Sequence, residues 1–397
     1  MALVCSVYNH VFPTVTDIIL QCDLTDSVTC WQNASSTTPP IDPTTHIRFF
    51  FTLQSSKLTF TEWIWLLTLA FAPLLAHLFV GGPQIVILGS NRARWLDVMC
   101  LYNPTTIIWR YYSIAVRRTT YRKWTPYDAA VANVAFWTDR SWDGSLNIAK
   151  EARPSCTKVG TRSRIRVISK SAAQSVIVAL QGAQTVTDSA QGRQNGDGGE
   201  EISVCTIFTF ISVIGLLRLL VAPWLVDDFS FADYDEDRML VPSKAVDVKR
   251  EDGPVTPKTS RTPEHPRGWR VWAIRACFVV PLTAHFTLTL LLLVPFKGKG
   301  LIYTATCLAL IVFMTYLASA TLCIMIWSMY HEQDTCVVLP VVNSAWYKVY
   351  TLSVYAGLLV LLLLSCLETR RTFCGVYTTF PKHLDLDVWI CKKISYI

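Results

Sequence analysis

Charge is scarce in this sequence. Only 16% of its 397 residues are Asp, Glu, Lys or Arg, while 51% are hydrophobic; an ordinary soluble domain carries about 25% charged residues. Five runs have no formal charge at all: Trp63 to Asn91, Ile202 to Leu217, Ala276 to Phe296, Leu301 to Tyr330 and Val349 to Leu367. A bilayer crossing needs about 20 mostly apolar residues, and five such helices do not fit one small soluble core. The scarcity of charge therefore predicts a polytopic membrane protein.

Other absences narrow the chemistry. There is no P-loop, HExxH, Ser/His/Asp set or pair of carboxylates at a usable spacing, so no catalytic residue, cofactor site or metal site is expected. Neither a zinc-spaced cluster nor a nucleic-acid module is found. The +7 balance of 36 Lys and Arg over 29 acids points to membrane topology and anionic lipid head groups before nucleic acid. The cores of the apolar runs hold no Asp or Glu, which argues against a proton-coupled pump. The opening MALVCSVYNHVF has no basic n-region and is interrupted by Asn9, His10 and Pro13, so it makes a poor signal peptide.

What is present gives an all-α fold: a multi-spanning transmembrane helix bundle of about five spans, with a small helical cytosolic insert and disordered linkers. Residues 1–61 are expected to form an N-terminal extracytoplasmic tail, 62–82 the first span and 83–201 a basic aromatic cytosolic region. Residues 202–226 make the second span, 227–268 a disordered linker, 269–367 a three-span bundle and 368–397 a cytosolic tail.

The N-terminal tail carries a sequon at Asn33-Ala34-Ser35, a glycosylation site if it faces the lumen. Cys5, Cys22 and Cys30 lie in the same tail, with Cys336 as a fourth partner for disulfides in an oxidising compartment. In the first span Pro73 predicts a kink and Gly81-Gly82-Pro83 a helix end, with His77 close to it. In the second, Arg218 is expected to snorkel toward the nearer interface. The fourth run is long enough that it has to tilt, kink or leave the lipid. Thr315, Ser319 and Cys323 give it a small-residue packing face, an arrangement repeated by Ser353 and Gly357 in the fifth. His285 is the only ionisable side chain deep in the third. Asp233, Asp235, Glu236 and Asp237 in the linker could hold Mg²⁺ for a diphosphate substrate, but the second acidic site such chemistry needs is missing. In the C-terminal tail Cys374 suits palmitoylation, and Tyr377 to Phe380 matches a tyrosine-based sorting signal.

Asn91 to Gly144 is neither apolar enough for a span nor polar enough for a linker. Asn103-Pro104-Thr105 supplies a cap followed by Pro at the first helical position and opens a helix to about Arg118. Thr125-Pro126-Tyr127-Asp128 opens a second helix, through Phe136 or Trp137. Two readings stay open. Trp95, Trp109, Arg110, Arg117, Arg118, Trp124, Trp137 and Trp142 form an interfacial platform for lipid or a protein partner, or they belong to a small subdomain that packs its own aromatics.

Two topologies compete. Five spans with the N-terminus outside put 23 of the 36 basic residues inside; a sixth crossing at Ser171 to Thr187 raises that to 25 but leaves Arg370 and Arg371 outside. Gln174, Gln181 and Gln184 make that crossing costly, which favours five spans and a surface helix there.

Trp95-Leu96-Asp97, Tyr102-Asn103-Pro104-Thr105, Trp109-Arg110-Tyr111 and Phe136-Trp137-Thr138 to Trp142-Asp143-Gly144 resemble uncharacterised polytopic integral membrane proteins of filamentous fungi. The likeness covers roughly the first 150 residues and the span pattern. Some proteins of that orphan family are encoded beside secondary-metabolite pathways, so the resemblance implies an accessory role; it brings no functional residue with it. The function expected is that of a non-enzymatic multi-pass protein of the plasma membrane or an endomembrane. It would act as scaffold, sensor or accessory factor, with the bilayer and a protein at residues 91–144 as partners. The alternatives are a transporter of a small apolar metabolite, and an accessory protein or membrane enzyme of terpenoid-type secondary metabolism.

Overall fold

Four helices are long and apolar enough to cross a membrane: Phe60–Phe79, Trp269–Leu292, Ala305–Tyr330 and Ala345–Glu368. They belong to a mainly helical bundle. The computed structural model describes residues 19–24, 28–32, 47–120, 126–152, 155–158, 164–165, 169–194, 202–226, 230–231, 269–293, 301–331, 336–382, 387 and 391, with only the backbone for those before Phe50. Asn33, Trp124, the acidic cluster and nearly all of the 227–268 linker lie outside these residues.

Strands β1 (Ile19–Leu24), β2 (Val28–Gln32) and β3 (Ile47–Thr52) join β9 (Leu301–Thr304) in one sheet of order β2-β1-β3-β9. Helix α1 (Phe60–Leu74) opens on a capping box in which the Thr59 hydroxyl accepts from the Glu62 amide and the Glu62 carboxylate accepts from the Thr59 amide. Behind Pro73, which offers no amide, the helix widens into a π turn over Leu75–Phe79. The chain then forms β4 (Gln84–Ile87), α2 (Trp95–Leu101), α3 (Pro104–Thr120) and α4 (Pro126–Ala132). The second helix of the Asn91–Gly144 stretch thus stops at Ala132. It gives way to β5 (Val134–Trp137), parallel to β4 and antiparallel to β6 (Trp142–Asp143). Helix α5 (Leu146–Glu151), β7 (Cys156–Lys158) and α6 (Lys170–Gln194) come next.

Residues 202–226 are not one continuous helix. They run through short 3-10 turns and α7 (Val213–Leu219), after which β8 (Ser230–Phe231) pairs with β7. Helices α8 (Trp269–Leu293), α9 (Ala305–Tyr330) and α10 (Ala345–Glu368) complete the bundle, and β10 (Arg370–Arg371) and β11 (Tyr377–Thr378) form a hairpin in the tail. The long fourth apolar run resolves its excess length by starting as β9 rather than as helix.

Hydrogen bonds define two ends of the bundle. At the first, the start of α1, the start of α9, the end of α10 and the tail meet. Glu62 accepts from Arg371 and Tyr377, both at 3.0 Å; Glu368 accepts from the Thr306 amide at 2.8 Å; the Thr304 and Thr379 hydroxyls lie 3.1 Å apart. At the second, Lys348 pairs with Asp97 at 2.5 Å, and Arg275 donates to the Tyr112 hydroxyl and the Met329 carbonyl.

Helix α6 runs antiparallel to residues 202–226 between these same ends. The Thr185 hydroxyl donates to the Thr209 carbonyl at 3.2 Å, Arg218 Nε to the Ser175 hydroxyl at 3.1 Å, and the Ser171 hydroxyl to the Leu225 carbonyl at 2.9 Å. Between them the backbones nearly touch: a Cβ on Gly182 would sit 2.6 Å from the Ser212 carbonyl oxygen, and one on Gly215 would collide with that of Val178. The Ile202 carbonyl accepts from the Thr379 amide at the first end. The surface helix expected at Ser171 to Thr187 is therefore one arm of a hairpin. Ser171, Ser175, Val178 and Gly182 are buried in the pairing, while Val176, Ile177, Leu180 and Val186 face outward.

Other expectations are corrected. Cys323 is exposed, and the packed face of α9 is Ala318, Thr321, Met325 and Ser328. Gly357 does mark a close approach, with the Phe313 ring lying where its Cβ would be. Cys374 is bonded to Cys391, so it is no free thiol for palmitoylation. Tyr377 to Phe380 is folded in, with Tyr377 in β11 and Phe380 buried, rather than free as a sorting signal. Cys336 is a free thiol at the end of the bundle away from the N-terminal sheet.

Candidate functional site

Helix α3 is the centre of the molecule. Every residue from Asn103 to Arg117 is buried. Its cap is the one the sequence predicts: the Asn103 side-chain oxygen accepts from the Thr105 amide at 2.9 Å, with Pro104 at the first helical position. The capped end points into the bundle. There the Thr105 hydroxyl lies 2.8 Å from those of Thr321 and Tyr350, the Thr106 hydroxyl 2.6 Å from that of Tyr347, and Asn103 donates to Thr351 at 3.1 Å.

Arginines on α3 and α7 serve the end of the first span, past the π turn. The Arg110 guanidinium donates to the Gly81 and Gly82 carbonyls at 2.5 and 2.7 Å and to the Asn133 side chain at 3.0 Å. Arg218 donates to the Val80 carbonyl at 2.9 Å. Terminal carbonyls of a helix have no partner within it, and a cation there also opposes the helix dipole. Arg218 consequently stays buried instead of snorkelling to an interface. The two glycines are needed for the approach: a Cβ would come within 2.7 Å of Ile107 at Gly81 and 2.5 Å of the Tyr102 ring at Gly82.

The residues expected to form a platform are mostly interior. Trp109, Arg110, Arg117, Trp137 and Trp142 are buried, Arg118 is half-buried over the Trp224 ring, and Trp95 alone of the described set is exposed, at 67%. The indole N–H groups of Trp109, Trp137 and Trp142 donate to the carbonyls of Cys336, Asn91 and Asp97. Trp and Arg suit a membrane interface because they join an apolar body to a polar end. The same property lets them satisfy irregular backbone inside a bundle, and that is the use of Trp109, Arg110, Trp137 and Trp142 here. Outside the bundle core, Asp139 holds the loop after β4, accepting from the Ser90 hydroxyl and the Ser90 and Asn91 amides; these bonds, the Ser90 side chain first, pull its carboxyl below the ordinary value.

Beside the capped end of α3 lies a cavity of about 590 Å³, between Pro104 and Ile108 of α3, the 210–220 segment, α8 and α9. Its walls are apolar apart from Cys277, His285 and Thr321. It opens sideways, where Leu220, Ala276, Val280 and Pro281 are exposed. The chain signals that bear on it are Pro281 within α8 and His285 one turn later, but its other walls come from segments remote in sequence. Among the described residues no group of three or more His, Cys, Asp or Glu could hold a metal ion. No family model, curated protein or solved structure matches this chain.

Proposed function

We propose that this integral membrane protein binds a small lipophilic molecule carrying one polar group, taken sideways from the bilayer into the cavity beside α3. The carrying observation is the cavity itself: ligand sites occupy about 300–1,000 Å³ and combine apolar walls with few polar groups, and this one has about 590 Å³ with three. Thr321 and His285 would orient the polar end, and the opening lies between helices that face lipid. The binding role passes from the Asn91–Gly144 stretch, whose side chains are mostly packed inside, to the groove that α3 helps to wall. Within the expected roles this favours an accessory protein or carrier for a small apolar metabolite. It agrees with the resemblance to fungal membrane proteins encoded beside secondary-metabolite pathways.

The test is photolabelling in lipid nanodiscs with a diazirine-bearing long-chain alcohol, mapped by peptide mass spectrometry. Labelling should concentrate on the cavity walls of α8 and α9 and be displaced by unlabelled alcohol. Ala276→Trp, which fills the mouth, should remove it, and Leu359→Trp on the exposed face of α10 should not. Labelling spread evenly over the lipid-facing helices and unchanged by Ala276→Trp would contradict the reading.

A further inference from the structure

Among the described residues the one disulfide lies at one end of the bundle, where Cys205, Cys307 and Cys366 sit within the helical segments as free thiols. At the end formed by the N-terminal sheet and the tail, Cys374 and Cys391 are joined in a disulfide. The same end holds β1 and β2, whose antiparallel register sets Cys22 directly opposite Cys30. Opposed residues in an antiparallel pair have Cα atoms about 4.5–5.5 Å apart, inside the roughly 4.4–6.8 Å that a disulfide bridges. The hairpin is held in place, since β3 pairs with β1 on one side and with β9, the lead-in to α9, on the other. The tail reaches the same point through Thr379 and Thr304. At the opposite end Cys156 and Cys336 are free thiols. Charge separates the ends in the same sense: with α6 and residues 202–226 as crossings, 25 of the 36 Lys and Arg lie opposite the sheet, counting Lys170, Arg270, Arg275 and Lys348 in the helix turns at that end, and basic residues gather on the cytoplasmic side.

We propose that Cys22 and Cys30 form a second disulfide, on an extracytoplasmic face shared with Cys374–Cys391, in a protein of six crossings. Two S–H bonds break and one S–S bond forms; the two protons and two electrons go to the disulfide of a thiol oxidoreductase in that compartment, which leaves as its dithiol. Asn33, the residue after β2, then faces the same compartment and is open to glycosylation.

The experiment uses the full chain expressed in eukaryotic membranes. Free thiols are blocked with N-ethylmaleimide under denaturing conditions, disulfides are reduced, and the newly freed thiols are tagged with a heavier maleimide and assigned by peptide mass spectrometry. Cys22, Cys30, Cys374 and Cys391 should carry the heavy tag, and in Cys22→Ser the thiol of Cys30 should carry the first reagent instead. A sequon inserted between Pro242 and Pro266 should stay unglycosylated. First reagent on Cys22 and Cys30 with Cys374 and Cys391 still bridged overturns the pairing. First reagent on all four, or a glycosylated linker sequon, overturns the assignment of faces and crossings.

Discussion

Helices α3 and α8 reverse the familiar relation between hydropathy and depth. Helix α8 is apolar along nearly its whole length, yet Trp272, Val280, Leu290 and Leu291 are exposed and only a few of its side chains are buried. Helix α3 carries three arginines and four threonines and is buried through Arg117. In water this arrangement would be inverted. In a bilayer, lipid is as apolar as the helices, so burial of apolar surface does not decide which helix goes inside. Unpaired polar groups do decide it, because the hydrocarbon offers them no partner. Helix α3 is central because it supplies the donors and acceptors its neighbours need.

That contrast can be broken by substitution. The largest effect is expected for Arg110→Met, which strips donors from the Gly81 and Gly82 carbonyls and from Asn133; buried groups left unsatisfied cost about 1–3 kcal/mol each. It should show as a large fall in melting temperature in detergent or as loss of folded protein. Leu290→Ala, on the outer face of α8, should change stability by less than about 0.5 kcal/mol. Next comes Gly215→Ala. Its new methyl would meet the Val178 backbone oxygen, which cannot turn aside, and overpacking of this kind costs about 1–3 kcal/mol. Gly357→Ala should cost less in the same assay, because the atoms in its way belong to the Phe313 ring, a side chain able to shift. The smallest effect is expected at Asp139→Asn, in the exposed loop. Its carboxyl is held below the ordinary range, so its contribution is full above that range and fades as pH falls through the lowered value. The mutant and the parent should therefore converge in melting temperature under acid conditions.

The parts of this fold that were legible in the sequence are those decided by near neighbours. Asn103-Pro104-Thr105 marks the start of α3, Pro126 that of α4, Gly81-Gly82-Pro83 the end of the first span, and Pro73 its irregular turn. The rest depends on partners far along the chain. Thr105 meets Thr321 and Tyr350 at separations of 216 and 245 residues, and no local pattern announces that. The packed hairpin of α6 with residues 202–226 was hidden for a related reason. Gln174, Gln181 and Gln184 weigh against a span when each residue is taken alone, whereas Ser171, Ser175 and Thr185 place their polar atoms on residues 202–226. The cavity leaves little local signature beyond Pro281 and His285, because its walls come from four separate stretches of chain.

The measurement that bears most directly on the central place of α3 is thiol accessibility in the folded protein. Ser113→Cys puts a thiol at a fully buried position of α3, and Trp95→Cys puts one at the exposed start of α2. Both proteins, in lipid nanodiscs, are exposed to a charged water-soluble maleimide and the modified peptides are identified by mass spectrometry. The thiol at position 95 should react rapidly and the one at position 113 only after denaturation. Equal reaction at the two positions without denaturant would return α3 to a water-facing surface and contradict the account.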